Sequence, residues 1–233
     1  MSYVELDTVD STNEYVKRNL DKLANLSVVR CNYQTNGKGR NGHVWESKPG
    51  ENLLMSILVK DFKNPQDVHK MTQIAACSVA GLLDRYGIKA KIKWPNDIYV
   101  DDYKICGILV EAVYENDLKG VVVGIGLNVN SISGSFASMK MKTGQDYPIK
   151  TIMIAMLAFF KIYYNLYRQG GYHEILRYAN DIAYLKNRKV TFKDYGLVTF
   201  ERLNDDGTVA FIDSLGKKYN IMVNEISLHS NLD

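Results

Sequence analysis

Two rhythms of apolar residues run through the chain, and together they predict a fold of both strands and helices. Asn52 to Val59 and Gly120 to Val129 are almost wholly apolar over strand length, the pattern of strands buried on both faces. His69 to Tyr86 instead places Met71, Ile74, Ala75, Val79, Leu82 and Leu83 on one helical face. A shorter helix is expected from Ser11, where Ser11-Thr12-Asn13-Glu14 reads as a capping box ahead of Tyr15, Val16, Leu20 and Leu23. Val28 to Tyr33, Lys91 to Trp94, Ile98 to Val100 and Ile105 to Val113 are β-prone. Asp101-Asp102 is a turn joining the last two as a hairpin, with Lys104 at its mouth. Thr151 to Tyr167 and Tyr172 to Tyr184 read as two further helices separated by Gly170-Gly171.

Gln34 to His43 and Ser131 to Gln145 break both rhythms and are expected to be loops. From Asn187 the segments shorten to Lys189–Phe192, Leu197–Leu203, Thr208–Asp213, Lys218–Met222 and Glu225–Leu228, the pattern of a small five-stranded barrel. The expected division is a large domain, residues 1–186, and a small one, residues 187–233.

Composition adds exclusions. At 46% hydrophobic and 24% charged, the 233 residues match globular proteins and neither disordered nor fibrous ones. Lys plus Arg is 29 against 26 for Asp plus Glu, and a net charge of +3 does not imply a nucleic-acid binder without a local basic patch. The three cysteines, Cys31, Cys77 and Cys106, are odd in number and sit in apolar stretches, which points to a reducing cytosol rather than a disulfide framework. The longest apolar run, Ile152 to Phe160, is nine residues, and the N-terminus lacks a basic region followed by an apolar core. A membrane span and a secretory signal are therefore not expected.

The loop Gly37-Lys38-Gly39-Arg40-Asn41-Gly42 combines glycines, which let backbone amides approach an anion, with two cations. Its spacing is neither that of a P-loop nor that of a dinucleotide fingerprint, and a solvated surface loop has the same composition. Lys93-Trp94-Pro95-Asn96-Asp97 reads either as a turn or as a strand end presenting oxygens toward a metal-bound polyphosphate. Lys104 is a hairpin lysine or a point charge beside a cleft; Trp45 is core or an aromatic lid; Asn128 caps a strand after Gly124 and Gly126 or faces a ligand. His43, His69, His173 and His229 lack metal-ligand spacing, and no protein nucleophile is indicated.

Taken together, S-T-N at 11 to 13, Y-Q-T-N-G-K-G-R-N-G-H-V-W at 33 to 45, K-W-P-N-D-I-Y at 93 to 99, K-I-C-G-I-L-V-E at 104 to 111 and G-I-G-L-N-V-N at 124 to 130 resemble the biotin protein ligases in order and spacing. E-I-S-L at 225 to 228 is similar to the end of that family's C-terminal barrel. The resemblance implies an α+β fold: a mixed β-sheet flanked by helices, like the class II aminoacyl-tRNA synthetases, followed by a small SH3-like barrel. It also implies ATP-dependent activation of biotin as biotinyl-adenylate and transfer to a lysine of a biotin carboxyl carrier protein in the cytoplasm, with magnesium assisting.

Matched position by position, the resemblance implies that Ser11, Thr12, Asn13 and Gln34 hold the biotin ring. Lys38, Gly39, Arg40, Lys104 and Gly107 would border its carboxylate and the α-phosphate, with Lys104 and Arg40 carrying the catalysis. Trp45, Asn96, Asp97 and Asn128, again with Lys104, would frame ATP, and the segment Ser131 to Gln145 would close over the adenylate. Metal ligands stay unassigned, and a homodimer stays open. Lys38 stands where the family's G-R-G-R-x-G loop has its first arginine, keeping a charge but losing a planar fork. The first motif begins at Ser11, so a monofunctional form with no DNA-binding domain and no DNA partner is expected. The rivals are a lipoate-protein ligase, whose R-R-x-S-G-G-G motif is absent, and a non-enzymatic adaptor, which leaves the motifs unexplained.

Overall fold

The computed structural model describes residues 2–62, 64–186, 188–192 and 195–222. Strand β1 (Tyr3–Val9) leads into helix α1 (Thr12–Arg18), strands β2 (Val28–Gln34) and β3 (Asn52–Val59), and the long helix α2 (Val68–Arg85). Strands β4 (Lys91–Lys93), β5 (Asp97–Val100), β6 (Tyr103–Tyr114) and β7 (Leu118–Asn128) follow, then helices α3 (Met139–Thr143), α4 (Ile149–Arg168) and α5 (Tyr172–Asp181). The seven strands form one sheet in the order β1-β2-β3-β7-β6-β5-β4. β1 pairs with β2 in parallel and the other pairs are antiparallel, so the sheet is mixed.

The period-two alternation of the strands sorts side chains between two layers. Leu53, Met55, Ile57 and Val59 of β3 and Val121, Val123, Ile125 and Leu127 of β7 join Met71, Ile74, Val79, Leu82 and Leu83 of α2 and Ile152, Met156 and Phe160 of α4 in the main core. On the opposite face Leu58 and Val122 meet Val16, Leu20 and Leu23 of the α1 segment in a smaller cluster. The site described below lies on this α1 face, where helical cover ends. Strand β5 accompanies β6 only as far as Gly107; beyond it, among the described residues, the outer side of β6 carries no strand.

Strands β8 (Lys189–Phe192), β9 (Gly196–Leu203), β10 (Val209–Asp213) and β11 (Lys218–Ile221) make a separate antiparallel sheet in the order β11-β10-β9-β8. The fifth strand expected at Glu225 to Leu228, and His229 beside it, lie outside the described residues. The two sheets share one core: Val190, Val198, Phe200, Phe211 and Ile221 belong to the same buried cluster as Ile175, Ala179 and Tyr184. Polar bonds reinforce the join, for Leu203 N donates to Asn180 Oδ1 at 2.7 Å and Asn180 Nδ2 donates to Leu203 O at 3.2 Å.

Several expectations change. No capping box forms at Ser11: its side chain makes no cap bond, and Glu14 turns to Lys17 and Lys38, whose charges outcompete a backbone amide for its carboxylate. The expected loop at 131 to 145 contains α3, started by Ser138 Oγ accepting from Met141 N at 3.2 Å and ended by Gly144 at φ 74°. The second C-terminal helix stops at Asp181 rather than Tyr184, and β1 was not anticipated. Helix α4 is, by length and composition, apolar enough to cross a bilayer, although its longest apolar run suggested otherwise. Its face of Ile152, Met153, Met156, Phe160 and Tyr164 is buried in the main core, against α2.

Candidate active site

Helix α1 begins at the end of β1, and its first residues, Thr12 and Asn13, are buried over the α1 face of the sheet. Thr12 N donates to Gln34 Oε1 at 2.8 Å, which fixes the Gln34 amide where β2 ends. Ser56 Oγ lies 2.5 Å from Asn13 Oδ1 and 2.7 Å from Thr12 Oγ1, while Asn13 Nδ2 donates to Leu109 O at 3.2 Å and to Glu111 Oε2 at 2.8 Å. Asn13 is thus fully engaged within the protein and acts as a fixed wall. An ionic chain extends from it, since Lys17 Nζ bridges Glu111 Oε1 at 2.9 Å and Glu14 Oε1 at 2.7 Å, and Glu14 Oε1 meets Lys38 Nζ of the basic loop at 2.5 Å. The lysines beside Glu14, Lys17 first and then Lys38, hold its carboxyl below the usual glutamate value.

The floor of the site has almost no side chains. Gly107 of β6 and Gly126 of β7 are cross-strand partners, and the Trp45 indole lies on both. A Cβ at Gly126 would come 2.6 Å from Trp45 Cε2 and one at Gly107 2.9 Å from Cζ3, so any other residue would displace the ring. Gly124, one pleat away, leaves the corresponding space to the Asn13 amide. Lys104 Nζ stands 5.4 Å from the Trp45 ring centre and 2.7 Å from Asp97 Oδ1. Arg40 Nη1 donates to Asn96 Oδ1 over 3.4 Å, a weak contact for a half-buried guanidinium, and burial lowers its pKa against the opposing pull of Asp97.

These groups enclose a cavity of about 240 Å³. Ser11, Thr12, Asn13, Gln34, Lys38, Gly39, Arg40, Trp45, Asn96, Asp97, Lys104 and Gly107 all line it. Asn128 does not: buried at the end of β7, it donates to Ala137 O at 3.1 Å and anchors the segment after β7. That segment and Trp45 border a second, larger cavity of about 570 Å³, reaching from Gln34 to Phe136. Lys93 of the K-W-P-N-D block leans instead over Tyr99, 4.6 Å from its ring centre. Ser56 reads in the sequence as an ordinary strand position, and Leu109 and Glu111, although inside the 104 to 111 motif, carry no individual signal of the contacts that shape the site. Glu14 was noticed, but as a cap.

A family model, the biotin/lipoate A/B protein ligase family, matches residues 5–128, a segment running from β1 to the end of β7 and holding every residue named above but Phe136 and Ala137. The chain belongs to the biotin/lipoate A/B protein ligase family. Within this ligase family it is 31% identical over 184 residues to the bifunctional ligase/repressor BirA of Bacillus spizizenii, covering 72% of this chain and 55% of that protein. It is 34% identical over 130 residues to biotin--protein ligase 1, chloroplastic, of Arabidopsis thaliana, covering 53% of this chain and 35% of that one. The chain spans about half the length, or less, of the curated family members it matches. Among solved structures, Aquifex aeolicus biotin protein ligase in complex with biotin and ATP superposes with a TM-score of 0.81 at 23% identity, over 96% of this chain and 97% of that chain. The Leishmania major biotin protein ligase with biotinyl-5-AMP gives 0.62 at 21%, over 94% and 98%. At these identities the superpositions establish a shared ligase fold.

Proposed function

We propose that the protein activates biotin with ATP and transfers it to a lysine of a biotin carboxyl carrier protein. The observation that carries this reading is the single cavity in which a neutral polar wall (Thr12, Asn13, Gln34) and two cations (Arg40, Lys104) meet over a glycine floor. A ureido ring needs fixed polar partners, and the Gln34 amide, held at its oxygen by Thr12, offers its N–H groups beside the wall that Asn13 shapes. In the first step a biotin carboxylate oxygen attacks the α-phosphorus of ATP, the bond to the β-phosphate oxygen breaks, and pyrophosphate leaves. Both reactants are anions, so charge neutralisation and positioning by Arg40 and Lys104 replace a protein nucleophile. In the second step a neutral lysine amine attacks the acyl carbon, the carbon–oxygen bond to AMP breaks, AMP leaves with the electron pair, and the amine loses a proton.

The larger cavity on the far side of Trp45, closed by the segment that Asn128 anchors, suits the adenosine. No cluster of three or more histidine, cysteine or acidic residues able to hold a metal occurs among the described residues. Magnesium usually keeps several waters and binds one or two carboxylates plus substrate phosphates, and the Asp97 carboxylate with the Asn96 amide oxygen fits that demand. The same reading includes residues 187–233 as an SH3-like barrel, a homodimer, and a cytoplasmic setting. Biotin is favoured over lipoate because the relatives described above are a biotin--protein ligase and the bifunctional ligase/repressor BirA.

The test is to incubate the protein with ATP, magnesium and either biotin or lipoate and to look for the acyl-adenylate by mass spectrometry. Biotinyl-adenylate is expected; adenylation of lipoate alone, or of neither acid, refutes the reading.

A further inference from the structure

The basic loop folds on itself. Lys38 and Val44 form an antiparallel bridge, Trp45 N donates to Gly37 O at 2.9 Å, and Gly39 N donates to His43 O at 2.7 Å. Residues 37–45 therefore make a small hairpin that carries Arg40 near its tip and delivers Trp45 to the glycine floor. Among the described residues, two side-chain bonds tie this hairpin to the rest of the protein, and they differ in strength. At its base Lys38 Nζ meets Glu14 Oε1 of α1 at 2.5 Å, whereas near its tip Arg40 Nη1 reaches the neutral Asn96 Oδ1 only at 3.4 Å.

The cluster around Glu14 holds two carboxylates and two ammonium groups, since Lys17 Nζ lies 2.7 Å from Glu14 and 2.9 Å from Glu111. If Lys38 swung onto a substrate anion, Lys17 alone would face both carboxylates. Glu111, which also accepts from Asn13 Nδ2 at 2.8 Å, would then share its only cation more thinly. The charges balance only while Lys38 stays on Glu14. Arg40, by contrast, makes no ion pair among the described residues, so its guanidinium is available to a ligand.

We propose that Glu14 is a positioning residue for the reaction: it clamps Lys38 and so docks the basic hairpin against the cavity, with Arg40 and Trp45 in place for the adenylate. Lys38 then holds the loop rather than the substrate. A point charge with three donors is enough for that task, which needs no planar fork. Glu14 itself does not line the active cavity and acts only through the loop. The effect on adenylate rests on the ligase reading, whereas the clamp stands on the ion pair.

Glu14→Gln and Lys38→Met remove the clamp from either side. Each is expected to speed release of preformed biotinyl-adenylate about fivefold, the size of effect one half-exposed ion pair gives, and the double variant no more than either alone. Lys38→Arg, which keeps a cation opposite Glu14, should release it at the wild-type rate. In the protein without ligand, exchange of the Gly39 and Trp45 amides should quicken in Glu14→Gln, while that of the Asn19 amide at the end of α1 stays the same. If Lys38 instead touched the substrate, Glu14→Gln would free it and slow release, and Lys38→Met would cost at least as much in that background as in the wild type. Either of those results, unchanged release, unchanged exchange at Gly39 and Trp45, or equal quickening at Asn19 would overturn the proposal. Selective quickening at Gly39 and Trp45 in a protein that makes no biotinyl-adenylate would uphold the clamp and refute the ligase reading.

Discussion

Replacing Lys104 by alanine separates charge from architecture at the centre of the site. The lysine is about one-third exposed and makes one ion pair, to Asp97 at 2.7 Å. Pairs this accessible contribute about 0–1 kcal/mol, so Tm should fall by no more than about 3 °C in a chain of this size. The reaction loses more. A unit charge about 4 Å from developing phosphate charge is worth about 4 kcal/mol at an effective dielectric constant of about 20. Loss of one electrostatic donor typically costs about 2.7 to 4 kcal/mol, so single-turnover adenylate formation should slow by about 100- to 1,000-fold. Chemical-quench measurement of biotinyl-adenylate over one turnover decides the matter. A wild-type rate in Lys104→Ala, or a Tm loss above about 10 °C, would refute this account of the lysine.

Arg40→Ala should release biotinyl-adenylate into solution faster while changing ATP affinity less, because its guanidinium has only a weak contact to Asn96 before ligand arrives; filter retention of labelled adenylate measures it. Gly126→Val puts branched carbon where Trp45 lies 2.6 Å from a first Cβ, so calorimetry should show biotin binding weakened at least about tenfold with the far-ultraviolet spectrum unchanged. Glu14, depressed by Lys17 and Lys38, contributes stability that is complete above the ordinary glutamate range and lost as pH falls through its lowered value. Hydrogen-exchange protection of the Lys38 to Val44 bridge should therefore fade below that range in the wild type, and Glu14→Gln should remove the pH dependence.

Much of the fold was legible because its signals are local. The apolar run of Asn52 to Val59 and the helical spacing of Met71 to Leu83 both specify a buried face without reference to anything distant. β1 was not legible: Tyr3 to Val9 is exposed or half-exposed at every position and becomes a strand only by parallel pairing with β2, a partner no local pattern announces. The site divides along the same line. Glycines, the basic loop and the K-W-P-N-D turn stand out in a sequence because they break periodicity, and they converge on one cavity. Ser56 and Glu111 sit within regular strands, so their importance appears only once the sheet has placed them beside Asn13. The supposed cap at Glu14 failed for a related reason, since Lys38, 24 positions away, was invisible as its competitor.

The single core that joins the two sheets bears on how the protein is made. Translation proceeds at about 5–20 residues per second, so several seconds separate the emergence of α5 from that of Ile221 on β11. During that interval Ile175, Ala179 and Tyr184 have no Phe200, Phe211 or Ile221 to pack against, and the face they present is apolar. A nascent chain with every cavity-lining residue already outside the ribosome is therefore still an incomplete folding unit. Completion of that core waits for the last described strands rather than for the last cavity-lining residue, which ties the maturing of the site's scaffold to residues that do not line the cavity.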